Sequence, residues 1–354
     1  MVQSPWNVVR LELPLDAVTF DGTLRADAAV SLQVAPARGD DAAAWRALAA
    51  AHVYHVSSAR DELPRQWFVT RELIARCPQL LAVSSYGAGY DTVEVAACTA
   101  AGICVMNQAG SNAGAVAEHT LGLILGLSKR IIQCDRQLRR GERFARHEMS
   151  GVDLEGGTLG VIGIGHTGGR VAALARAFGM TVLACDPWLT AQEIAQRGAT
   201  SVTLAQLLGR ADVVSVHCPL NDTTRGMIDA KAFAAMQPGA LFINTARGGI
   251  HDETALFDAL VSGHLGGAGL DVWSIEPPAA GHPLLGLDNV FASHHIAGVT
   301  RGARRNMALM AAGQIIDTAR GMRPPRLVNP EVWPAYARRY AQLTGRQVAG
   351  AAGA

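Results

Sequence analysis

The stretch TLGVIGIGHTGGRVAALARAFGMTVLACD (158–186) constrains the fold of this chain more than any other part of the sequence. An apolar run ends at Gly163, a glycine-rich turn opens a helical pattern, and a second apolar run ends at Asp186. A GxGxxG turn between a strand and a helix is the fingerprint of a dinucleotide-binding βαβ unit. The stretch therefore predicts a parallel sheet that binds a dinucleotide at this turn.

The three glycines have separate tasks in that prediction. Gly163 permits the tight turn, Gly165 lets the backbone approach a pyrophosphate, and Gly168 lets helix and strand pack closely. The helix N-terminus offers N–H groups and a positive dipole end to the phosphates. Asp186 would accept hydrogen bonds from ribose hydroxyls and repel a 2′-phosphate, and no arginine follows before Arg197. The expected cofactor is therefore NAD rather than NADP.

Apolar, β-rich runs alternate with helical patterns over most of the chain, which predicts an α/β fold with doubly wound parallel sheets. Two apolar helical segments, 115–141 and 302–322, flank a self-contained series of strand–helix units. We therefore expect a discontinuous first domain of 1–126 and 309–354, with a dinucleotide-binding domain of 127–308 inserted in it. The predicted strands lie in the runs 80–87, 103–107, 158–165, 181–186, 211–219, 239–246, 265–273 and 289–295.

Charge and cysteine usage argue against several classes of protein. Lys+Arg 31 against Asp+Glu 30 gives a net charge of +1, without the basic excess of nucleic-acid or membrane-surface binders. No apolar run approaches the roughly 18 residues of a membrane helix, and the N-terminal residues do not resemble a secretion signal. The cysteines are scattered, without zinc-site spacing. We expect a cytoplasmic protein without a metal site, nucleic-acid partner or membrane partner.

Polar residues that suit redox chemistry follow the apolar runs after the fingerprint: His217, Arg247, the segment 271–276 and the pair His294–His295. Ligands of open α/β sheets bind at the carboxyl ends of the strands. Arginine offers a two-pronged donor for a carboxylate or keto oxygen, and histidine exchanges a proton near neutral pH. Adjacent strand residues face opposite sides, so periodicity does not decide between the two histidines.

From residue 80 to 330 the chain resembles the D-isomer-specific 2-hydroxyacid dehydrogenases. The resemblance rests on YGAGYDTVEVAACTAAGICVMNQAGSNAGAVAEHTLGLIL, TLGVIGIGHTG with ACDPW, VHCPLNDTTRGMI, FINTARGGI, GLDVWSIEPP and SHHIAGVT, in the family's order and spacing. It implies that Arg247 binds the substrate's carboxylate and polarises its carbonyl. It also implies that His295 is the general acid/base and Glu276 its carboxylate partner. His294 stands where the family usually has proline.

The same resemblance implies the binding residues. Asp271 would accept a hydrogen bond from the nicotinamide amide, and backbone N–H groups around Ala88 and Gly89 would hold the substrate carboxylate. Further positions that would line the cofactor are His166, Thr167, His217, Pro219, Thr224, Thr245, Ala246 and Gly298.

The implied activity is NAD-dependent interconversion of a small 2-keto acid and a D-2-hydroxy acid, in a homodimer built through the cofactor domains. The implied subtype is phosphoglycerate dehydrogenase-like or hydroxypyruvate reductase-like, without a C-terminal regulatory domain. Glyoxylate, hydroxypyruvate, phosphohydroxypyruvate and bulkier 2-keto acids all stay open as substrates.

Three alternative functions share the scaffold. Formate dehydrogenases of this fold pair the histidine with glutamine, whereas this chain has Glu276. Phosphite oxidation uses a similar scaffold, and the sequence motifs alone do not distinguish it from 2-hydroxyacid dehydrogenase activity. A non-catalytic NAD-sensing corepressor can retain the same three polar residues, although the near-neutral charge weighs against it.

Overall fold

A computed structural model of the chain describes residues 5–12 and 16–349. The outermost residues of the predicted first domain, 1–4 and 350–354, lie outside the described residues, as do 13–15. No helix in the described ranges is both long and apolar enough to cross a membrane.

The strands of the described residues are short and largely buried. Strands such as Val213–Val216 and Gly267–Leu270 are buried at every position, as expected where helices cover both faces of a sheet. In chain order they are β1 (Trp6–Leu11), β2 (Val30–Ala35), β3 (Val53–Ser57), β4 (Ala82–Tyr86), β5 (Cys104–Met106), β6 (Thr158–Ile162), β7 (Thr181–Cys185), β8 (Thr200–Ser201), β9 (Val213–Val216), β10 (Leu241–Asn244), β11 (Gly267–Leu270) and β12 (Val290–Ala292).

The helices of the same residues mostly connect these strands. They are α1 (Ala17–Arg25), α2 (Asp41–Ala49), α3 (Arg71–Arg76), α4 (Val95–Ala100), α5 (Ala113–Ser128), α6 (Ile131–Arg139), α7 (His166–Ala177), α8 (Ala191–Gln196), α9 (Leu204–Leu208), α10 (Ala230–Ala234), α11 (Glu253–Val261), α12 (Arg301–Ala319) and α13 (Trp333–Thr344). Short 3₁₀ turns lie at Arg65–Trp67, Arg146–Met149, Gly248–Ile250, Pro283–Gly286 and Pro330–Val332.

The chain divides into two compact units, one of residues 1–112 with 301–354 and one of 113–300. In the first unit five parallel strands run in the order β2-β1-β3-β4-β5. This is the flavodoxin-like order of a doubly wound sheet. One face of the sheet packs on α12 and α13, where Ile315, Tyr336 and Tyr340 are buried against Val8 and Val53.

In the second unit seven parallel strands run in the order β12-β11-β10-β9-β6-β7-β8. Counted from β6, this is the strand order of a dinucleotide-binding sheet with one additional strand at its edge. The order reverses between β6 and β9, so the carboxyl ends of these two strands form the crevice in which such sheets bind ligands. The predicted fold class of two doubly wound parallel sheets is confirmed.

The division differs in position from the expected 126/127 and 308/309. Helix α5 packs on α7, β10 and β11, so it goes with the second unit from its first residue. Helix α12 packs on α1 and β4 and goes with the first unit. The apolar face of each helix therefore places the division at the N-terminus of that helix.

The single helix expected over 115–141 is wrong, because the chain breaks between α5 and α6. Arg130 adopts the left-handed conformation with φ 53°. The carbonyl of Ser128 accepts a hydrogen bond from the N–H of Val152 at 2.7 Å instead of continuing the helix. The contact with the distant residue Val152 thus ends α5, and the local sequence does not predict this end.

Replacing Ile315 in α12 with alanine tests the packing of the first unit. Ile315 is fully buried, so Ile315→Ala is expected to lower the free energy of unfolding by about 2–5 kcal/mol. The matched control is Leu309→Ala in the same helix, where the side chain is 44% exposed and the expected loss is below about 1 kcal/mol. Urea denaturation measures both, and equal losses would contradict the packing described.

Candidate active site

The glycine-rich turn after β6 has the shape that the fingerprint requires. Gly163 is left-handed with φ +85°, and a Cβ there would lie 2.8 Å from the backbone nitrogen of Cys218. A Cβ on Gly168 would overlap the carbonyl oxygen of Gly163. A Cβ on Gly165 would meet open space, so this side of the turn is accessible. The turn therefore leaves room for a ligand in front of Gly165.

Helix α7 starts at this turn without a side-chain cap. Its N-cap is Gly165, and His166 and Thr167 form its first turn. An uncapped helix N-terminus carries N–H groups and a positive partial charge that favour an anion. The open space and the uncapped helix together fit the pyrophosphate of a dinucleotide.

Asp186 lies beside the same turn. Its Oδ2 accepts the N–H of Ile164 and its Oδ1 accepts the N–H of Trp188, both at 3.0 Å. A carboxylate has about four acceptor positions, so two bonds fix its orientation and leave acceptors for ribose hydroxyls. The half-buried Asp186 therefore suits the role predicted for it.

The other residues expected to line the cofactor lie in loops at the carboxyl ends of the strands. Burial lowers the pKa of His217 to about 4, so the ring is neutral and bonds Ser215 Oγ through Nε2 at 2.8 Å. Thr224 Oγ1 donates to the carbonyl of Pro219 at 2.6 Å. Thr245 shares a 3.0 Å hydrogen bond with Thr120 of α5. Their contacts with a cofactor stay predictions, as do those of Ala246 and Gly298.

His295 and Glu276 form the central pair of the candidate site. Nδ1 of His295 and Oε2 of Glu276 are 2.7 Å apart, and Glu276 Oε1 accepts the N–H of Trp273 at 3.1 Å. The sequence left His294 and His295 open until the resemblance favoured His295. The structure pairs His295 with the carboxylate, although both histidines are exposed.

The pair holds its proton on the histidine. Removal from water lowers the pKa of His295, but the hydrogen bond and charge of Glu276 outweigh it, so the pKa is raised above 6.5. For Glu276, removal from water raises the pKa, but the His295 hydrogen bond and charge outweigh it, so the pKa is lowered. Both directions favour an imidazolium beside a carboxylate.

Arg247 follows β10 and is half-buried. Its carbonyl accepts from Asn244 Nδ2 at 2.8 Å, and one guanidinium nitrogen donates to the carbonyl of Ala246 at 2.7 Å. A Cβ on Gly248 would overlap the carbonyl of Trp273, so this glycine lets the loop approach the one carrying Glu276. The charge of Arg247 acts on the pKa of both Glu276 and His295. The structure thus places the three predicted catalytic residues within electrostatic reach of one another.

The carboxylate of Asp271 makes several hydrogen bonds within the protein that the sequence did not predict. It is 1% exposed, and its carboxylate accepts from Ser293 Oγ at 2.6 Å and from the N–H groups of Ile296 and Ala297 at 2.9 Å. These bonds hold the segment that follows His295. The predicted contact with a nicotinamide amide stays a prediction.

The sequence reasoning missed His119 and Ser293. Nε2 of His119 lies 2.9 Å from Ser293 Oγ and 3.7 Å from Asp271 Oδ1. A histidine within the apolar α5 was the available signal, since a polar ring on a packed helix needs a partner.

The predicted substrate-binding residues Ala88 and Gly89 lie in the first unit, in the loop after β4, with Ala88 exposed.

Curated relatives of this chain include proteins with two different names. The chain is 38% identical to a "D-3-phosphoglycerate dehydrogenase" of Archaeoglobus fulgidus over 268 residues, which is 75% of this chain and 51% of that protein. It is 38% identical to a "Glyoxylate reductase" of Aeropyrum pernix over 267 residues, which is 74% of this chain and 80% of that protein. The chain thus spans about half the length of the phosphoglycerate dehydrogenases that it matches.

The fold is also that of solved dehydrogenases. A glyoxylate reductase from Paecilomyes thermophila superposes with a TM-score of 0.80 at 28% identity, covering 92% of this chain and 99% of that chain. The likeness therefore extends over both units.

Replacing Gly168 with alanine tests the turn. The Cβ would overlap the carbonyl of Gly163, so Gly168→Ala is expected to weaken NADH binding at least about tenfold by displacing the turn. The control is Gly169→Ala on the same helix, where the nearest atoms lie 3.8 Å from a Cβ and affinity should stay within about twofold. Fluorescence titration with NADH measures both, and thermal melts verify folding. Equal affinities would contradict the assignment of the turn.

The family model "D-isomer specific 2-hydroxyacid dehydrogenase, NAD binding domain" matches residues 121–297, which lie in the second unit. The second unit is therefore an NAD-binding domain. Together with the Aeropyrum relative, this match shows that the chain belongs to the D-isomer-specific 2-hydroxyacid dehydrogenase family.

Proposed function

We propose that the protein is an NAD-dependent oxidoreductase that interconverts a small 2-keto acid and a D-2-hydroxy acid. The observation that carries the proposal is the His295–Glu276 pair, 2.7 Å apart, with Arg247 acting on both. A proton donor and a fixed cation suit the reduction of a carbonyl next to a carboxylate. The names of the relatives support the same reaction class.

The residues of the second unit fit NAD. The turn from Gly163 to Gly168 and the N-terminus of α7 would hold the pyrophosphate, and Asp186 would hold the ribose hydroxyls. When bound in its reduced form, the cofactor supplies the hydride that reaches the carbonyl carbon.

The chain's own residues supply charge and a proton. Arg247 binds the substrate carboxylate and polarises the carbonyl oxygen. Because Nδ1 of His295 is engaged with Glu276, Nε2 is the nitrogen that gives its proton to the oxygen. Glu276 keeps the ring oriented and charged until transfer. In the oxidative direction neutral His295 takes the hydroxyl proton.

The finer parts of the proposal rest on the family. A phosphoglycerate dehydrogenase and a glyoxylate reductase are equally similar to this chain in identity, so both phosphorylated and small unphosphorylated keto acids belong in its test. A homodimer in the cytoplasm and substrate binding by the loop of Ala88 and Gly89 are part of the same proposal.

A substrate panel tests the function. Purified protein with NADH is expected to reduce at least one of glyoxylate, hydroxypyruvate, pyruvate, phenylpyruvate and phosphohydroxypyruvate, with NADPH much slower because Asp186 disfavours a 2′-phosphate. The measurement is the loss of absorbance at the nicotinamide band.

His295→Gln should lower turnover at least about 100-fold while NADH affinity stays within about twofold. His294→Gln is the matched control and should keep most of the activity. The absence of turnover with every substrate in the panel, or an equal loss of turnover in the two variants, would contradict the proposal.

The pH profile tests the proton donor. Reduction needs protonated His295, whose pKa is raised, so kcat/KM should be constant at low pH and fall as pH rises through a value above 6.5. Glu276→Gln removes the charge that raises this pKa. The fall should then move at least about one pH unit lower. An unchanged profile in the variant would contradict the role of Glu276.

A further inference from the structure

The loop after β4 has an unusual pattern of hydrogen bonds. From the last two residues of β4 into the loop, five successive carbonyl oxygens each accept a hydrogen bond within the first unit. They belong to Ser85, Tyr86, Gly87, Ala88 and Gly89.

Side chains supply most of the donors. Asn107 Nδ2 donates to the carbonyl of Ala88 at 2.8 Å, and Ser85 Oγ donates to that of Gly89 at 2.7 Å. Ser58 Oγ donates to the carbonyl of Tyr86 at 2.7 Å. The loop is therefore held on its carbonyl side by a set of short polar side chains.

Gln108 holds the start of the loop and joins it to α12. Its N–H donates to the carbonyl of Gly87 at 2.7 Å, and its Nε2 donates to that of Ser85 at 3.2 Å. Its Oε1 accepts from Gln314 Nε2 at 2.8 Å, and both glutamines are buried. Because a buried amide is costly to leave unpaired, this arrangement fixes one conformation of the loop.

The backbone N–H groups of the loop differ from its carbonyl groups in their hydrogen bonding. Within the described part of the chain, no protein group accepts a hydrogen bond from the N–H of Ala88 or Gly89. Gly87 is left-handed with φ +98°, which turns the chain just before them. Successive backbone N–H groups of this kind form a concave site for an anion.

We propose that Asn107, together with Ser85 and Gln108, is a positioning residue for binding of the substrate carboxylate. By engaging the carbonyl oxygens, these residues keep negative partial charge turned away from the anion and orient the N–H groups of Ala88 and Gly89 toward it. This inference rests on the proposed function and extends it to residues that would act on the substrate through the loop.

Asn107→Asp tests the inference with little change of shape. The aspartate keeps an oxygen to accept the N–H of Ala109 but has no Nδ2 to donate to Ala88, and its charge faces that carbonyl. Asn7→Asp is the matched control. It likewise removes an Nδ2 donor to a backbone carbonyl, that of Ala50 at 3.0 Å, at the opposite, amino-terminal edge of the same sheet.

The readouts are KM and kcat for the 2-keto acid that the wild type reduces best, the inhibition constant of oxamate, and the affinity for NADH. Asn107→Asp is expected to raise KM and the oxamate constant at least about tenfold, the effect of one hydrogen bond to a charged group. NADH affinity and the values for Asn7→Asp should stay within about twofold. Ser85→Ala removes the donor to the carbonyl of Gly89 and should likewise raise KM and the oxamate constant. This second variant provides the test if Asn107→Asp is unstable.

The outcomes separate the two proposals. Oxamate constants that are equal in wild type, Asn107→Asp and Ser85→Ala overturn the positioning role, as does an equal rise in Asn7→Asp. If the wild type reduces none of the keto acids, the proposed function fails. Calorimetric binding of oxamate to the NADH complex then decides the positioning role, and a wild type that does not bind it overturns that role too.

Discussion

The buried carboxylate of Asp271 organises the candidate active site. A carboxylate that is 1% exposed is costly unless hydrogen bonds compensate it, and here Ser293, Ile296 and Ala297 provide them. The carbonyl of Asp271 also accepts the N–H of His295 at 2.7 Å. One residue at the end of β11 thus fixes the chain on both sides of the histidine. It holds His295 at φ 48°, a conformation that few residues other than glycine adopt.

The sequence predicted strands well where both faces of a strand are covered by apolar contacts. Each predicted apolar run contains a strand, because nearly all side chains of β4, β6 and β9 are buried. The predicted strands did not include β1, β2 and β3 in residues 1–79, although β3 is buried at every position. There β2 lies at the sheet edge with alternating burial, and β1 carries the buried Arg10. Arg10 is tolerated because Asp21 of α1 pairs with it at 2.7 Å, a partner that the strand's own sequence does not reveal.

The candidate site was predictable to the extent that its residues follow local motifs. The glycine turn, Asp186 and the loops of Arg247, Glu276 and His295 all lie directly after strands, where a motif can be read. His119 and Asn107 act across long sequence distances, on Ser293 and on Ala88. Their contacts depend on how helices and loops pack on the sheets, so residue type and spacing alone could not indicate them.

Arg247 and Glu276 influence His295 in opposite directions. The charge of Arg247 lowers the pKa of the histidine, while the hydrogen bond and charge of Glu276 raise it, and Glu276 prevails. A substrate carboxylate bound to Arg247 would neutralise part of the lowering influence. The imidazolium would then hold its proton more firmly with the substrate in place than without it, until negative charge develops on the carbonyl oxygen. A glutamine in place of Glu276 would keep an oxygen that can accept from the ring but would lose the charge, leaving the charge of Asp271 to oppose Arg247 and the loss of hydration.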